Sequence, residues 1–287
     1  MLRRVSVLSL ALALAACGDD PAEPRYADIN KARVHILAGD SQIAPVATSP
    51  ERAGNLAPRL QGGGGVEEAY DLFPEVLEVY VGVGTLASGD PVAPGTDVHW
   101  IVRDEGCGRP VGQTTRTDEN GRAVNRWIRG TRARECHMDV CRILGDGALA
   151  CDTTFVAVQE ASDPVVNPYT FRATARQKEF VPGVGFTGDL FEFSGLYDRY
   201  GNPTKKFRVE AVGSWIEHAG GDFGSPESRS VRLIGAPSLG DTATVRFYNA
   251  LGDLLIDAIA TLREGSWGDN LGNSGTMLYI SAKARHH

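Results

Sequence analysis

Thiols, imidazoles, carboxylates and aromatic rings are the groups in this chain with chemistry to offer. Their spacing decides what is usable. Cys107, Cys136, Cys141 and Cys151 fall within 45 residues, with 28, 4 and 9 residues between successive members. Thiols at that density hold a metal or oxidise in pairs. Zinc would want a paired C-x2-C knuckle, and none occurs, although His137 adjoins Cys136. We therefore expect no metal and two disulfides. Cys107–Cys136 with Cys141–Cys151 is the preferred connectivity, because the second closes a hairpin across Arg142–Ala150; the spacing leaves the other two pairings open. Nucleophiles are poorly placed. Residues 272–275, GNSG, lack the G-x-S-x-G pattern and sit in a Gly/Asn turn. His35, His99, His137 and His218 are widely spaced, and no H-E-x-x-H, P-loop or G-x-G-x-x-G occurs. Asp198 with Asn202, and Asp269 with Asn270 and Asn273, lack the acidic density of a calcium loop. The expectation is no catalytic residue, no cofactor and no enzyme. Tyr197, Tyr200 and Trp267, near turns, are the candidate interaction surface, for a protein or a sugar. Phe191 and Phe193 share parity and read as core.

Cys17 stands apart from the other thiols. Arg3 and Arg4 open the chain, and Val5–Ala16 is apolar except for Ser6 and Ser9. That is the layout of an export signal. Its twelve residues would cover ~18 Å as a helix, short of a hydrocarbon core of about 30 Å. Leu14-Ala15-Ala16-Cys17 resembles a bacterial lipobox. The resemblance implies cleavage after residue 16 and a lipid on the Cys17 sulfur. At about 0.8 kcal/mol per buried methylene, two or three acyl chains anchor firmly. Residues 17–26 then read as a polar tether. The expected address is a membrane-anchored lipoprotein of the periplasm or outer cell envelope, where disulfides form.

Loss of residues 1–16 leaves 271 residues, enough for two domains, and moves the net charge from −7 to −9. Clustered cations are lacking, which argues against nucleic acid and against polybasic contact with anionic lipid. Alternation dominates the rest. Leu77, Val79, Val81 and Val83 share one parity, as do Phe207, Val209 and Ala211, and Ala243, Val245 and Phe247. With 34 Gly and 15 Pro between such runs, an all-β fold of antiparallel sandwiches is expected. Only residues 250–265 could pass for a helix, and the parity of Leu254, Ile256, Ala258 and Ala260 supports a strand pair equally. Pro164 and Pro168 mark a linker at 161–168 between domains at 27–160 and 169–287. A Pro/Gly-rich insertion at 44–68 is long for a loop and reads as mobile or packed on a partner.

The first of these domains resembles the bacterial Ig-like group 1 (Big-1) domains of invasin- and intimin-type proteins. The matching residues run in order over about 33–159: Gly39, Asp40 and Gln42; Pro74, Leu77, Val79 and Val81; Gly89, Pro91, Val92, Gly95, Val98 and Trp100; Thr117, Asp118, Gly121 and Ala123. The insertion and the four cysteines depart from that pattern. The resemblance implies an Ig-like sandwich and, by analogy, adhesion. Independently, Asp118-Glu119-Asn120-Gly121 suits a type I turn, and Trp100 shares a face with Val98 and should fill the core. Residues 196–215 echo the pattern weakly, so the second domain is expected to be a divergent Ig-like sandwich. The functional expectation is contact without catalysis. The protein would be an accessory subunit docked on the periplasmic side of a membrane complex, such as an electron-transfer or light-harvesting one, or a cell-envelope adhesion module. A polysaccharide-binding module or an accessory to an envelope hydrolase is the alternative.

Overall fold

The computed structural model describes residues 25–53 and 70–285. The signal at 1–16, Cys17, most of the 17–26 tether and residues 54–68 of the insertion lie outside the described residues. The described chain is nearly all β, with antiparallel sheets. Its one helical turn among the described residues is a 3-10 turn at Glu227–Arg229.

In the first half, β1 (Arg33–Ala38), β3 (Leu77–Val83), β4 (Asp90–Pro91) and β8 (Arg122–Asn125) form one sheet, with β1 on one side of β3 and β4 and β8 on the other. The second sheet runs β2 (Gln42–Pro45), β11 (Leu149–Glu160), β10 (Glu135–Ile143), β5 (Asp97–Val102), β7 (Thr114–Arg116). A short pair, β6 (Arg109–Pro110) and β9 (Trp127–Ile128), lies beside them. Parity explains the packing. Leu77, Val79 and Val81 from one sheet and Val98, Trp100, Met138, Val140 and Phe155 from the other share one buried cluster, so the sheets stack face to face. Trp100 is in that core as its parity required, and its indole Nε1 donates to Thr115 Oγ1 at 2.9 Å. The Asp118 turn forms as expected: its Oδ1 accepts the amides of Asn120 and Arg122 at 2.8 Å, and Gly121 takes φ 71°. Gly39-Asp40-Ser41-Gln42 ties the sheets together. Asp40 Oδ1 accepts the Val156 amide, and Gln42 donates to Gly39 O and accepts from the Glu75 amide. One pairing departs from antiparallel geometry, since β2 runs parallel to β11.

Residues 44–53, the described part of the 44–68 insertion, are packed on the chain itself. Val46, Ala47 and Ala53 are buried. Asp71, also buried, pins the segment through the Thr48 hydroxyl at 2.6 Å and Arg52 at 2.7 Å, with Arg129 at 3.8 Å. Burial pushes the Asp71 carboxyl up, but the bonds from Thr48 and Arg52 outweigh it and hold the group below its ordinary value. A carboxylate so depressed stabilises the fold above its unfolded pKa and loses that contribution as the pH falls through the folded one. Asp71→Asn is therefore expected to cost about 2–3 kcal/mol at pH 7, and the gap from the parent closes below about pH 4. Urea denaturation at pH 7 and pH 3 measures it; an equal gap at both would exclude this role.

In the second half, eight strands join in one antiparallel sheet. Its order is β14 (Arg208–Val212), β17 (Thr242–Tyr248), β18 (Leu254–Gly268), β19 (Ser274–Ala284), β12 (Arg172–Val181), β13 (Gly185–Ser194), β16 (Ser230–Leu233), β15 (Ile216–His218). The doubtful 250–265 stretch is the start of β18 and the turn before it. This sheet differs from the second Ig-like sandwich expected from the sequence. β19 stays paired with β18 over its whole length and the start of β18 pairs with β17, so the eight strands run on as one sheet. The end strands of the order, β14 and β15, are consecutive in the chain, so Gly213–Trp215 draws the two edges toward each other into a near-barrel. Inside, Phe171, Phe191, Phe193, Phe207, Val209 and Phe247 form a second buried cluster.

Between the halves, residues 161–171 carry no strand. They are clamped nonetheless. The Ser162 amide donates to Asp198 Oδ2 at 3.1 Å, the Val165 amide to Tyr197 O, and Thr204 Oγ1 to Ser162 O. Asn202 crosses to the first half, donating to Thr131 O at 2.8 Å and accepting from the Ala133 amide at 3.1 Å. Arg199 donates to Thr48 O.

Candidate functional site

The four clustered cysteines are structural. Cys107 bonds Cys136 and Cys141 bonds Cys151, the connectivity preferred from the sequence. Cys107 and Cys136 are fully buried, and Trp127 Nε1 donates to Cys107 O at 2.9 Å. Cys141 and Cys151 face each other across β10 and β11. No group of three or more metal-ligating side chains gathers among the described residues. The Asp198 and Asp269 turns are built like the Asp118 turn. Each Oδ1 accepts amides two and four residues on, and the Asn at the fifth position donates its Nδ2 to the other oxygen. Those carboxylates are turned toward N–H donors, which is the physical reason for the D-x-x-G-N spacing.

The histidines are dispersed. His99 Nδ1 lies 3.1 Å from Thr114 Oγ1, and His35 stacks on Tyr80. His137 Nδ1 lies 2.9 Å from Asp104 and Nε2 3.2 Å from Glu135. Burial pushes the Asp104 carboxyl up, but the His137 ring and amide, with Arg134, outweigh it and hold the group low. At the junction, a cleft of about 640 Å³ is lined by Glu160, Asp163, Pro203, Lys205, Lys206 and Phe223. Lys206 is paired with Glu160 at 3.6 Å, so the cleft mixes signs instead of converging on one ligand charge.

The three candidate aromatics do not share a surface. Tyr197 is exposed beside the junction. Tyr200 is half-buried in the Asp198 turn, and burial pushes its hydroxyl pKa up. Trp267 is not in a loop. It lies on β18, opposite Gly275, and its indole packs against Gly185 at the start of β13. Tyr197 follows the other end of β13, and ten strand residues span roughly 33 Å.

Trp267 belongs instead to a double hairpin tip. The β12–β13 hairpin turns at Val181–Gly185 and the β18–β19 hairpin at Asp269–Asn273. Because β12 pairs with β19, both turns lie at the same end of the sheet. Phe180, Phe186 and Trp267 meet edge to face, with centroids 5.1 to 6.2 Å apart. Gly185 sits at φ 93°, and a Cβ there would lie 2.5 Å from the indole, so only glycine admits the ring. Beyond the rings, Val184 at 68 % and Leu271 at 83 % exposure crown the turns, with Val181 at 43 % beside them. None of the six residues belongs to either buried cluster. Residues 180–188 carry no ionisable side chain. Sequence reasoning passed over Phe180, Val184 and Leu271. Their signal was apolar residues at turn apices, where polar ones are usual.

The tip also has a position in the molecule. Arg142 Nε donates to Ile29 O and the Gly145 amide to Asn30 Oδ1, which sets the start of the described chain beside the β10–β11 turn. From that turn β11 runs twelve residues to the junction, and β12 runs ten from the junction to the tip. The chain start and the apolar tip thus each lie at the end of their own half that is away from the junction. No family model matches this chain and no curated protein matches it, so the tip is read from its own chemistry.

Proposed function

We propose that this is an exported, lipid-anchored protein of the bacterial envelope that works by contact and not by catalysis. Cys17 is its anchor, and the double hairpin tip, which includes Trp267 but neither Tyr197 nor Tyr200, is its contact surface. The observation that carries the reading is the apolar crown of Val184 and Leu271 at the end of the second half away from the junction. An exposed apolar patch of this kind marks an interaction site. Two disulfides suit an oxidising, exported compartment. The clamped connector at 161–171 suits a spacer that holds one end at a fixed distance from the other. For the first half we propose an Ig-like sandwich of Big-1 type, supported by the stacked sheets, the roles of Asp40 and Gln42, and core Trp100. The role is that of a structural subunit on the periplasmic side of a membrane complex, or of an adhesion module.

Cys17→Ser is expected to move the protein from the membrane to the soluble fraction, read by fractionation and blotting. A photo-crosslinking residue at position 271 should form adducts in intact cells, and one at Leu239, 55 % exposed on another loop, should not. Equal labelling at both positions would end the contact reading.

A further inference from the structure

We propose that the double tip docks on a lipid surface of neutral headgroups, with Val184 and Leu271 below the headgroups and Trp267 at their level. This rests on reading the tip as the contact surface. One feature permits contact with lipid and two select it over a protein pocket. The first is backbone satisfaction. A bilayer offers no hydrogen bonds, so a turn that enters one must satisfy its own amides. The Val184 amide donates to Val181 O at 3.0 Å. In the other turn, Asp269 Oδ1 takes the Leu271 and Asn273 amides, and Asp269 O takes the Gly272 amide. The Asp118 and Asp198 turns close in the same way, so this closure permits lipid contact and the next two features select it. The second is the order of side chains along the axis. Aliphatic groups stand at the apex, and Phe180, Phe186 and Trp267 stand one step behind. That sequence matches the hydrocarbon edge and the aromatic belt at its interface.

The third is charge. Residues 180–188 are uncharged; beside them Lys178 pairs with Glu227 at 3.3 Å and Asp189 with Arg232 at 3.6 Å, and Glu179 sets a carboxylate next to Gly188. Asp269 adds a carboxylate, held by Asn273 Nδ2 at 2.8 Å. With no surplus of cations, the tip has nothing to attract anionic lipid, which selects neutral headgroups.

The test mixes the full chain with phosphatidylcholine vesicles whose acyl chains carry bromine and reads the emission that depends on Trp267, defined by subtracting a Trp267→Phe variant. We expect most of that emission to be quenched, with a blue shift. Replacing half of the lipid by phosphatidylglycerol should bring no increase. Val184→Asp with Leu271→Asp should abolish the quenching at an unchanged melting temperature. Leu251→Asp, an equally exposed leucine in the Asn249–Asp253 turn at the other end of β18, should preserve it. Absence of quenching, or quenching that survives the double aspartate variant, overturns the proposal. If quenching is absent while position 271 still crosslinks to protein in cells, the lipid proposal falls and the contact reading stands. If both are silent, both fall.

Discussion

Phe247→Ala is expected to cost about 4 kcal/mol. Phe247 is fully buried in the second cluster. Its ring lies 5.1 Å from Phe171, 5.2 Å from Phe193 and 6.0 Å from Phe207, so one side chain joins β17 to β13 and to two segments outside the strands. Truncation removes the transfer free energy of the ring and leaves a cavity. The rings around it sit on hydrogen-bonded strands or clamped segments and cannot close in. The loss is a large share of the roughly 5–15 kcal/mol that holds an ordinary domain together. Urea denaturation followed by circular dichroism measures it. The second half should unfold at lower urea while the first, with its own cluster around Trp100, keeps its midpoint. A loss below about 1.5 kcal/mol would mean that the site refills, as volume-conserving changes do.

Serine at both Cys107 and Cys136 is expected to cost about 3.6 kcal/mol, the chain-entropy value for the 29-residue separation this bond closes. The shorter Cys141–Cys151 loop, of separation 10, gives about 2.7 kcal/mol on the same relation. The larger effect belongs to Cys107–Cys136 for a second reason. Both cysteines are fully buried in the first cluster with Trp127 and Met138, so the variant also loses the packing of two sulfurs there. Reductant should reproduce both losses in the first half and leave the second half, which has no cysteine, unmoved. An identical melting profile with and without reductant would remove both disulfides from the account of stability.

Much of the local structure was legible because its causes are local. The parity of Leu77, Val79 and Val81 is a period-2 signal, and β3 buries that face. Asp118 and Gly121 sit at the offsets a tight turn needs, and the same logic, read further, covers Asp198 and Asp269. Cys141 and Cys151 flank a hairpin short enough to bring them face to face. The candidate site was legible only in part. Trp267 was singled out, but with Tyr197 and Tyr200, because turn-like composition surrounds all three. Nothing in a short window says that β13 carries its two ends to opposite poles of the sheet.

The amino-acid order alone determined the β-rich character, the Asp118 turn and which residues face the cores, because these follow from alternation and turn chemistry; it favoured one cysteine pairing of three, and the structure chose it. The tertiary structure decided which strand lies beside which. Backbone hydrogen bonds carry no side-chain signature, so neither the parallel β2–β11 pairing nor the continuous eight-stranded sheet could be read beforehand. Pairing of β12 with β19, about a hundred residues apart in the chain, brings Phe180 to Trp267 and sets Val184 and Leu271 at one end. The contact surface is a product of that pairing.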